Sequence, residues 1–265
     1  MTLIDSITHL VINDIIFDKE DFDKNLVESF IESSLEGLPK EAIITDGMPM
    51  YKDILEKIGV KHQMCIFHIM KNHHDKSFKI INGVKRRINT INNQIAANET
   101  TIEMIKNKLR HDNLTKKKKD KKRSKIHDLE QKNKKLRKER SKKNAEFKEL
   151  LHTNERIENI YDADDKKGAQ RRLNILYNQK EHLDNNTEKF IGNLNKKFDK
   201  TTTFYDDPLI PRTNNEIERY FGITLPHNLK RRFRTKKGLT QWLKLQKIKW
   251  TRRIVLKDKS IKYYL

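Results

Sequence analysis

Cysteine, proline and long apolar runs are scarce in this sequence, and each scarcity excludes a class of protein. One cysteine, Cys65, among 265 residues cannot form a disulfide framework and favours a reducing compartment. No run approaches the ~20 apolar residues that cross a bilayer, and the N-terminus lacks the basic start of a signal peptide. Hydrophobic residues make up only 35% of the chain, so part of it contributes little to a core. These absences predict a cytoplasmic protein of one or two domains without a membrane partner.

Acidic residues are few where basic residues are most dense. The net charge is +21, and residues 106–143 hold 19 basic and five acidic side chains. Residues 219–257 hold 13 basic side chains and no acidic one, interleaved with Phe233, Trp242 and Trp250. The rest of the chain is slightly acidic, so the excess charge lies in these two blocks. A pI near 9.8 predicts a polyanionic partner, with nucleic acid as the default, and a nucleoid location if the source is prokaryotic.

The N-terminal third predicts alternating strands and helices. The β-branched residues at 2–5 and 9–17 predict two strands or a hairpin, and helical spacing follows at 21–35. Further on, the pattern predicts a buried strand at 42–45, a helix at 50–58 ended by Gly59, and a strand at 60–67. This order indicates an α/β layer fold.

The middle of the chain has the heptad spacing of coiled coils. Isoleucine and leucine recur at heptad positions from residue 88 onward, with Asn98 at one break, and no proline occurs between 84 and 207. We expect an antiparallel helical hairpin or three-helix arm with turns at 113–123 and 162–168. The alternative is a partly disordered basic segment around the lysines at 116–119.

The C-terminal part returns to a compact pattern near residue 201. Thr213 is the candidate N-cap of a short helix at 214–221, and a basic helix is predicted at 239–256.

A carboxylate ends the predicted buried strand. Ligands bind at strand ends of open α/β sheets, and Asp46 there could hold Mg²⁺ through hard oxygen atoms. The alternative is that Asp46-Gly47 forms only a turn. Cys65 and His68 have a metal-ligand spacing, but without a second pair Cys65 is better explained as a small buried side chain.

Three short motifs occur in an informative order. Ala42-Ile43-Ile44-Thr45-Asp46-Gly47 comes first, the Cys65-x-x-His68 pair follows, and residues 212–218 read Arg-Thr-Asn-Asn-Glu-Ile-Glu. Together they resemble the DDE transposases of insertion sequences, including the Mutator-like group. The resemblance implies an α/β, ribonuclease-H-like mixed sheet interrupted by a long helical coiled-coil insertion. The implied domains are 1–83 and 201–265 for the two parts of the catalytic domain, and 84–200 for the insertion.

The resemblance also implies roles for individual residues. Asp46 matches the second catalytic aspartate and Glu218 the catalytic glutamate, with Glu216 as the less favoured alternative. Both would hold Mg²⁺ or Mn²⁺ during DNA strand cleavage and transfer at transposon ends. The implied DNA-binding residues are Lys230, Arg231, Arg232, Arg234, Lys236 and Lys237. The implied supporting residues are Cys65, His68, Asn214 and Asn215.

One family element has no match. The first catalytic aspartate belongs on a first strand, whereas residues 2–5 resemble the second strand, leaving Asp5 and Asp14 as the early candidates. We therefore expect a truncated transposase, or an internal start, that does not cleave DNA by itself. The expected partners are double-stranded DNA and further copies in a homo-oligomer. The alternatives are a non-catalytic nucleic-acid-binding protein and a structural coiled-coil protein that dimerises through residues 84–200.

Overall fold

The computed structural model describes residues 1–113 and 115–258, which form two compact units. The first unit comprises Met1–Lys71, Asp164–Lys167 and the chain from Leu194 onward. The second unit comprises Asn72–Ala163 and Gly168–Asn193. Among the described helices, none combines the length and apolar composition that a membrane crossing requires.

The first unit begins with the predicted strands and helices. Strands β1 (Thr2–Ile4) and β2 (Val11–Asp14) form an antiparallel hairpin, and strands β3 (Ala42–Thr45) and β4 (Lys61–Met64) pair in parallel. Helix α1 (Lys24–Ser34) precedes β3, and α2 (Met50–Ile58) connects β3 to β4. Gly59 ends α2 in a left-handed conformation with φ of 74°, as its position in the sequence predicts.

Apolar side chains from these elements form the first core. Val27 and Phe30 of α1 pack with Ile54 and Leu55 of α2 and with Ile43 of β3, and all five are buried. Val27 and Phe30 are three residues apart on α1, and Tyr51 and Ile58 extend the Ile54–Leu55 pair along the same face of α2. The core therefore fixes α1 and α2 beside the parallel strand pair.

The predicted ribonuclease-H-like mixed sheet is wrong. The described residues form a mostly helical protein with two separate two-stranded sheets. The strands are only three or four residues long, and the β1–β2 pairing carries an irregularity between Leu3 and Ile4. The predicted strand at 60–67 stops at Met64, because residues from Ile66 onward enter a 46-residue helix.

The second unit contains an antiparallel pair of long helices, which is one of the two arrangements that the sequence predicts. Helix α3 (Ile66–His111), which enters this unit at Asn72, pairs with α4 (Lys116–Glu158). Ile91 and Ile95 pack against Leu136, and Asn98 donates from Nδ2 to Oδ1 of Asn133 at 2.7 Å. A polar pair in an apolar seam favours one register, so the break at Asn98 has a structural role. Helix α4 begins at Lys116, so residues 116–123, predicted as part of a turn or as a partly disordered segment, are helical.

Shorter helices complete both units. They are α5 (Lys166–Asn178), α6 (Asn185–Lys196), α7 (Phe198–Thr201), α8 (Asn215–Thr224), α9 (His227–Lys230) and α10 (Lys236–Trp250), followed by a π-helical turn at Thr251–Val255. Asn214, and not the predicted Thr213, is the N-cap of α8. Thr235 caps α10 by accepting a hydrogen bond from the Gly238 amide at 3.1 Å.

Candidate functional site

The parallel strand pair brings two sequence-predicted residues to one edge. The Cys65 amide, one residue beyond the end of β4, donates to the carbonyl oxygen of Thr45, the last residue of β3, at 2.7 Å. Asp46 therefore follows β3 at the edge where Cys65 follows β4. Asp46 is exposed, whereas Cys65 is fully buried and free of any disulfide.

Cys65 also contacts the segment before α8, which lies far away in the sequence. Its thiol donates to Oδ1 of Asn214 at 2.9 Å, and the Asn214 amide donates back to Sγ at 3.4 Å. The Ile66 amide donates to the Arg212 carbonyl oxygen at 3.1 Å. These three hydrogen bonds position the start of α8 against the strand ends that carry Asp46 and Cys65.

The first turn of α8 carries the two candidate glutamates on different sides. Oε1 of Glu218 lies 3.3 Å from Nε2 of His68, in the first turn of α3. Oε2 of Glu216 lies 3.3 Å from Nδ1 of His9, in the β1–β2 hairpin. A separation of two residues on a helix explains why each glutamate meets its own histidine. Glu218 is thereby placed with the Cys65–His68 segment, and Glu216 is not.

Asp46 occupies a tight loop after β3. Its Oδ1 accepts a hydrogen bond from the Met48 amide at 3.2 Å, and Gly47 adopts φ of 85°, which favours glycine. Burial, and secondarily the charge of Asp46, raise the pKa of the neighbouring Tyr51. No hydrogen bond joins Asp46 to Glu218 in the described chain. Both belong to one region because each neighbours the Cys65–His68 segment.

The donor set at this edge sets limits on a metal ion. Within residues 1–113 and 115–258, no three histidine, cysteine, aspartate or glutamate side chains are grouped to hold a metal. Of the early candidates, Asp5 accepts hydrogen bonds within its own turn, and Asp14 lies 3.7 Å from Lys247. The carboxylates of Asp46 and Glu218 offer the oxygen ligands that Mg²⁺ prefers. Two carboxylates would fill only part of the coordination shell of Mg²⁺, and water and phosphate oxygen atoms would fill the rest.

The sequence-predicted basic residues form an exposed segment between α9 and the first turn of α10. These exposed side chains are Lys230, Arg231, Arg232, Arg234, Lys236 and Lys237. Phe233 packs near Trp242, with ring centroids 5.9 Å apart, and the Trp242 indole donates to the Thr224 carbonyl oxygen at 2.8 Å. Since Thr224 ends α8, this contact ties the basic segment to the helix that carries Glu218.

His62 supports the loop that carries Asp46. Its Nε2 lies 2.8 Å from Oγ1 of Thr45, which also accepts a hydrogen bond from the Gly47 amide at 3.2 Å. Burial, followed by the positive charge of Lys200, lowers the pKa of His62 to about 4. Parallel pairing of β3 and β4 brings these side chains together, a relation that residue spacing could not show.

This lowered pKa predicts that stability depends on pH. His62 stays neutral in the folded protein, but in the unfolded chain it binds a proton near the ordinary value of 6.5. The unfolded state therefore holds more protons between about pH 6.5 and about pH 4, so the free energy of unfolding should decrease as the pH falls through that window. Urea unfolding across this range measures the effect. A His62→Gln variant should show a flatter pH dependence, and an unchanged slope would contradict the assignment.

Comparison with known proteins connects this chain to mobile DNA. No protein-family model and no solved structure matches. A curated protein from Methanobrevibacter smithii, "Insertion element ISM1 uncharacterized 48.3 kDa protein", is 26% identical over 253 residues. The match covers 95% of this chain and 48% of the relative, so the chain spans about half the length of the protein it matches. The chain is thus similar to an insertion-element protein, which supports an insertion-sequence origin and a function related to transposition.

Proposed function

We propose that this protein binds the DNA of an insertion element and that Asp46 and Glu218 hold Mg²⁺ for strand cleavage and transfer at the element's ends, a reaction that this chain does not complete by itself. The hydrogen bonds between Cys65 and Asn214 are the observation that supports this most strongly. They join the strand ends to α8 across 149 residues of sequence. If Asp46-Gly47 formed only a turn without a function, nothing would require the start of α8 to be held against the same strand ends.

The charge around the carboxylates favours DNA as the ligand. The basic segment begins a few residues after α8, and its side chains are exposed. Lysine and arginine bind the phosphate backbone without reading sequence, and they orient a duplex on the protein. A duplex on this segment would pass the end of α8, to which Trp242 ties it.

The carboxylates would hold Mg²⁺ or Mn²⁺ together with phosphate oxygen atoms of the bound DNA. Mg²⁺ usually binds proteins through one or two carboxylates plus substrate phosphates. When bound, such an ion neutralises charge that develops on phosphate oxygen atoms. His68, 3.3 Å from Glu218, would orient that carboxylate, and the Met48 amide would orient Asp46.

Duplex binding with and without Mg²⁺ tests this proposal. Without the metal, each carboxylate repels the DNA backbone, so Asp46→Asn and Glu218→Gln should each bind a duplex about fivefold more tightly than wild type, from ~1 kcal/mol of screened repulsion. Millimolar Mg²⁺ should strengthen binding by the wild-type chain and have little effect on either variant. Fluorescence anisotropy with a labelled duplex measures both effects.

Glu216→Gln is the matched control, since it removes the same charge from the same helix turn. Glu216 pairs with His9 and lies 3.9 Å from Arg219, so its replacement should leave the response to Mg²⁺ unchanged. An equal response to Mg²⁺ in wild type, Asp46→Asn and Glu218→Gln would contradict the proposed site.

A non-catalytic nucleic-acid-binding protein is the second candidate. It is favoured by the finding that the described residues contain no group of three metal-binding side chains. It predicts DNA binding that is indifferent to Mg²⁺ and to both carboxylates. Mg²⁺-dependent strand cleavage by the purified chain, lost in Asp46→Asn, would exclude it.

A further inference from the structure

We propose that helix α4 of the hairpin is a second DNA-binding surface, which lies lengthwise along the phosphate backbone of a duplex. The surface consists of residues 116–143. The choice of DNA as its partner rests on the proposed function, but the surface is separate from the carboxylates and from the basic segment. Its charge, spacing and lack of internal partners support it.

The linear charge density of α4, summed around its whole circumference, is close to that of a DNA strand. Residues 116–143 contain 16 basic and four acidic side chains, all on one continuous helix. At 1.5 Å per residue, these 28 residues extend over about 42 Å, which gives one net positive charge every ~3.5 Å. A strand of B-DNA carries one negative charge every ~3.4 Å along its axis.

A row of lysines runs along one side of α4. Its members are separated by three, four or seven residues, so they share a face, and all are exposed. Asp128 and Glu139 occupy the two seven-residue gaps on that face. They are Lys118, Lys121, Lys125, Lys132, Lys135 and Lys142. The row extends over about 36 Å, close to the ~34–36 Å of one duplex turn. Leu129, Asn133 and Leu136 lie on another face, toward α3.

The protein neutralises this row only in part, because Asp128 and Glu139 lie within it and Glu139 is itself paired with Arg87. In the described part of the chain, Arg123, Arg137 and Lys143 are the members of the 16 that form ion pairs, with Asp120, Glu99 and Glu146. None of the six lysines in the row has a carboxylate partner there. Coulomb repulsion acts where lysines are direct neighbours on the row, at 118/121, 121/125 and 132/135, and a bound polyanion would relieve it.

The helix also begins with unfavourable electrostatics. Its first turn consists of four lysines and no acidic residue, although the N-terminal end of a helix favours negative charge. A helix selected only for solubility would gain by alternating signs and placing acidic residues in that turn. Sequences break such local rules mainly where a binding function requires it.

Charge-neutral substitution in the full chain tests the proposal. The test variant replaces Lys118, Lys121, Lys125, Lys132 and Lys135 with glutamine, which retains helix propensity. The control variant removes the same charge from exposed lysines outside both basic blocks: Lys40, Lys52, Lys61, Lys76 and Lys79. Duplex affinity is measured over a series of salt concentrations, and circular dichroism verifies that both variants stay helical.

The expected result separates the two variants clearly. The salt slope is the decrease in log affinity per unit of log salt concentration, and each lost phosphate contact lowers it by ~0.9. The salt slope of the test variant should therefore be smaller by about four than that of wild type, and its affinity should fall more than about tenfold. The control should resemble wild type. Equal slopes in the two variants would overturn the proposal and identify α4 as a solvated helix.

Two further readouts complete the test. If the five substitutions weakened binding to polyglutamate more than to a duplex, the surface would fit an acidic protein and the DNA assignment would be wrong. The response to Mg²⁺ should persist in the test variant, since Asp46 and Glu218 are unchanged. A failure of this inference is therefore distinguishable from a failure of the proposed function.

Discussion

Replacing Trp250 with alanine is expected to lower the free energy of unfolding by about 3–5 kcal/mol, the range for a large aromatic side chain removed from a core. Trp250 is fully buried and packs edge-to-face on Tyr220, with ring centroids 5.3 Å apart. Its indole donates to the His9 carbonyl oxygen at 2.8 Å, and the Arg219 guanidinium lies 5.8 Å from its ring. One side chain thus joins α10 to α8 and to the β1–β2 hairpin.

DNA binding should weaken together with stability, because the Trp250 contacts help to hold α10 beside α8. Urea unfolding measures the first effect, and duplex affinity well below the unfolding midpoint measures the second. Trp250→Phe is the matched control. It keeps an aromatic ring against Tyr220 and loses mainly the hydrogen bond to His9, so it should cost only about 1 kcal/mol. A loss of less than about 1 kcal/mol in Trp250→Ala would show that this core contributes little.

Removing three arginines from the basic segment is expected to reduce duplex affinity about a hundredfold and the salt slope by about three. Arg231, Arg232 and Arg234 are exposed, and no carboxylate pairs with any of them in the described chain. The triple replacement with glutamine therefore removes positive charge without breaking an internal ion pair. Stability should remain close to that of wild type, which distinguishes this effect from the effect of Trp250→Ala.

A control with the same loss of charge makes this result specific. Lys85, Arg86 and Arg171 are exposed and lie outside both basic blocks. Their joint replacement with glutamine should change duplex affinity only slightly. If both triple variants bound DNA equally, the basic segment would contribute only net charge, and its proposed role beside the carboxylates would be contradicted.

Local patterns in the sequence predicted individual elements well. The hairpin of α3 and α4 follows from heptad spacing, since an apolar residue every three or four positions buries one face of a helix. Gly59 ends α2 where predicted, because glycine adopts positive φ without strain. The strands β1–β4 lie within the predicted segments, although each is shorter than or equal to its prediction.

The association of these elements was not predictable in the same way. The resemblance implied one mixed sheet, yet the β1–β2 hairpin and the parallel pair of β3 and β4 form two separate sheets. Strand pairing joins residues distant in sequence, and no local pattern records which edges meet. The N-cap of α8 shows the same limit, because Asn214 is held by Cys65 across 149 residues. His62 acquires its role only through its contact with Thr45.

Iron-mediated cleavage of the polypeptide tests the central claim most directly, because it reports which residues lie beside one bound metal. The claim is that Asp46 and Glu218 share a divalent ion with bound DNA. Fe²⁺ would replace Mg²⁺ in the complex with a duplex, and peroxide would generate radicals that cut the backbone next to the ion. The account predicts two cuts, near residues 46 and 218, both lost when excess Mg²⁺ is added and in Asp46→Asn. Cleavage at only one of the two positions, or cuts that survive excess Mg²⁺, would contradict it.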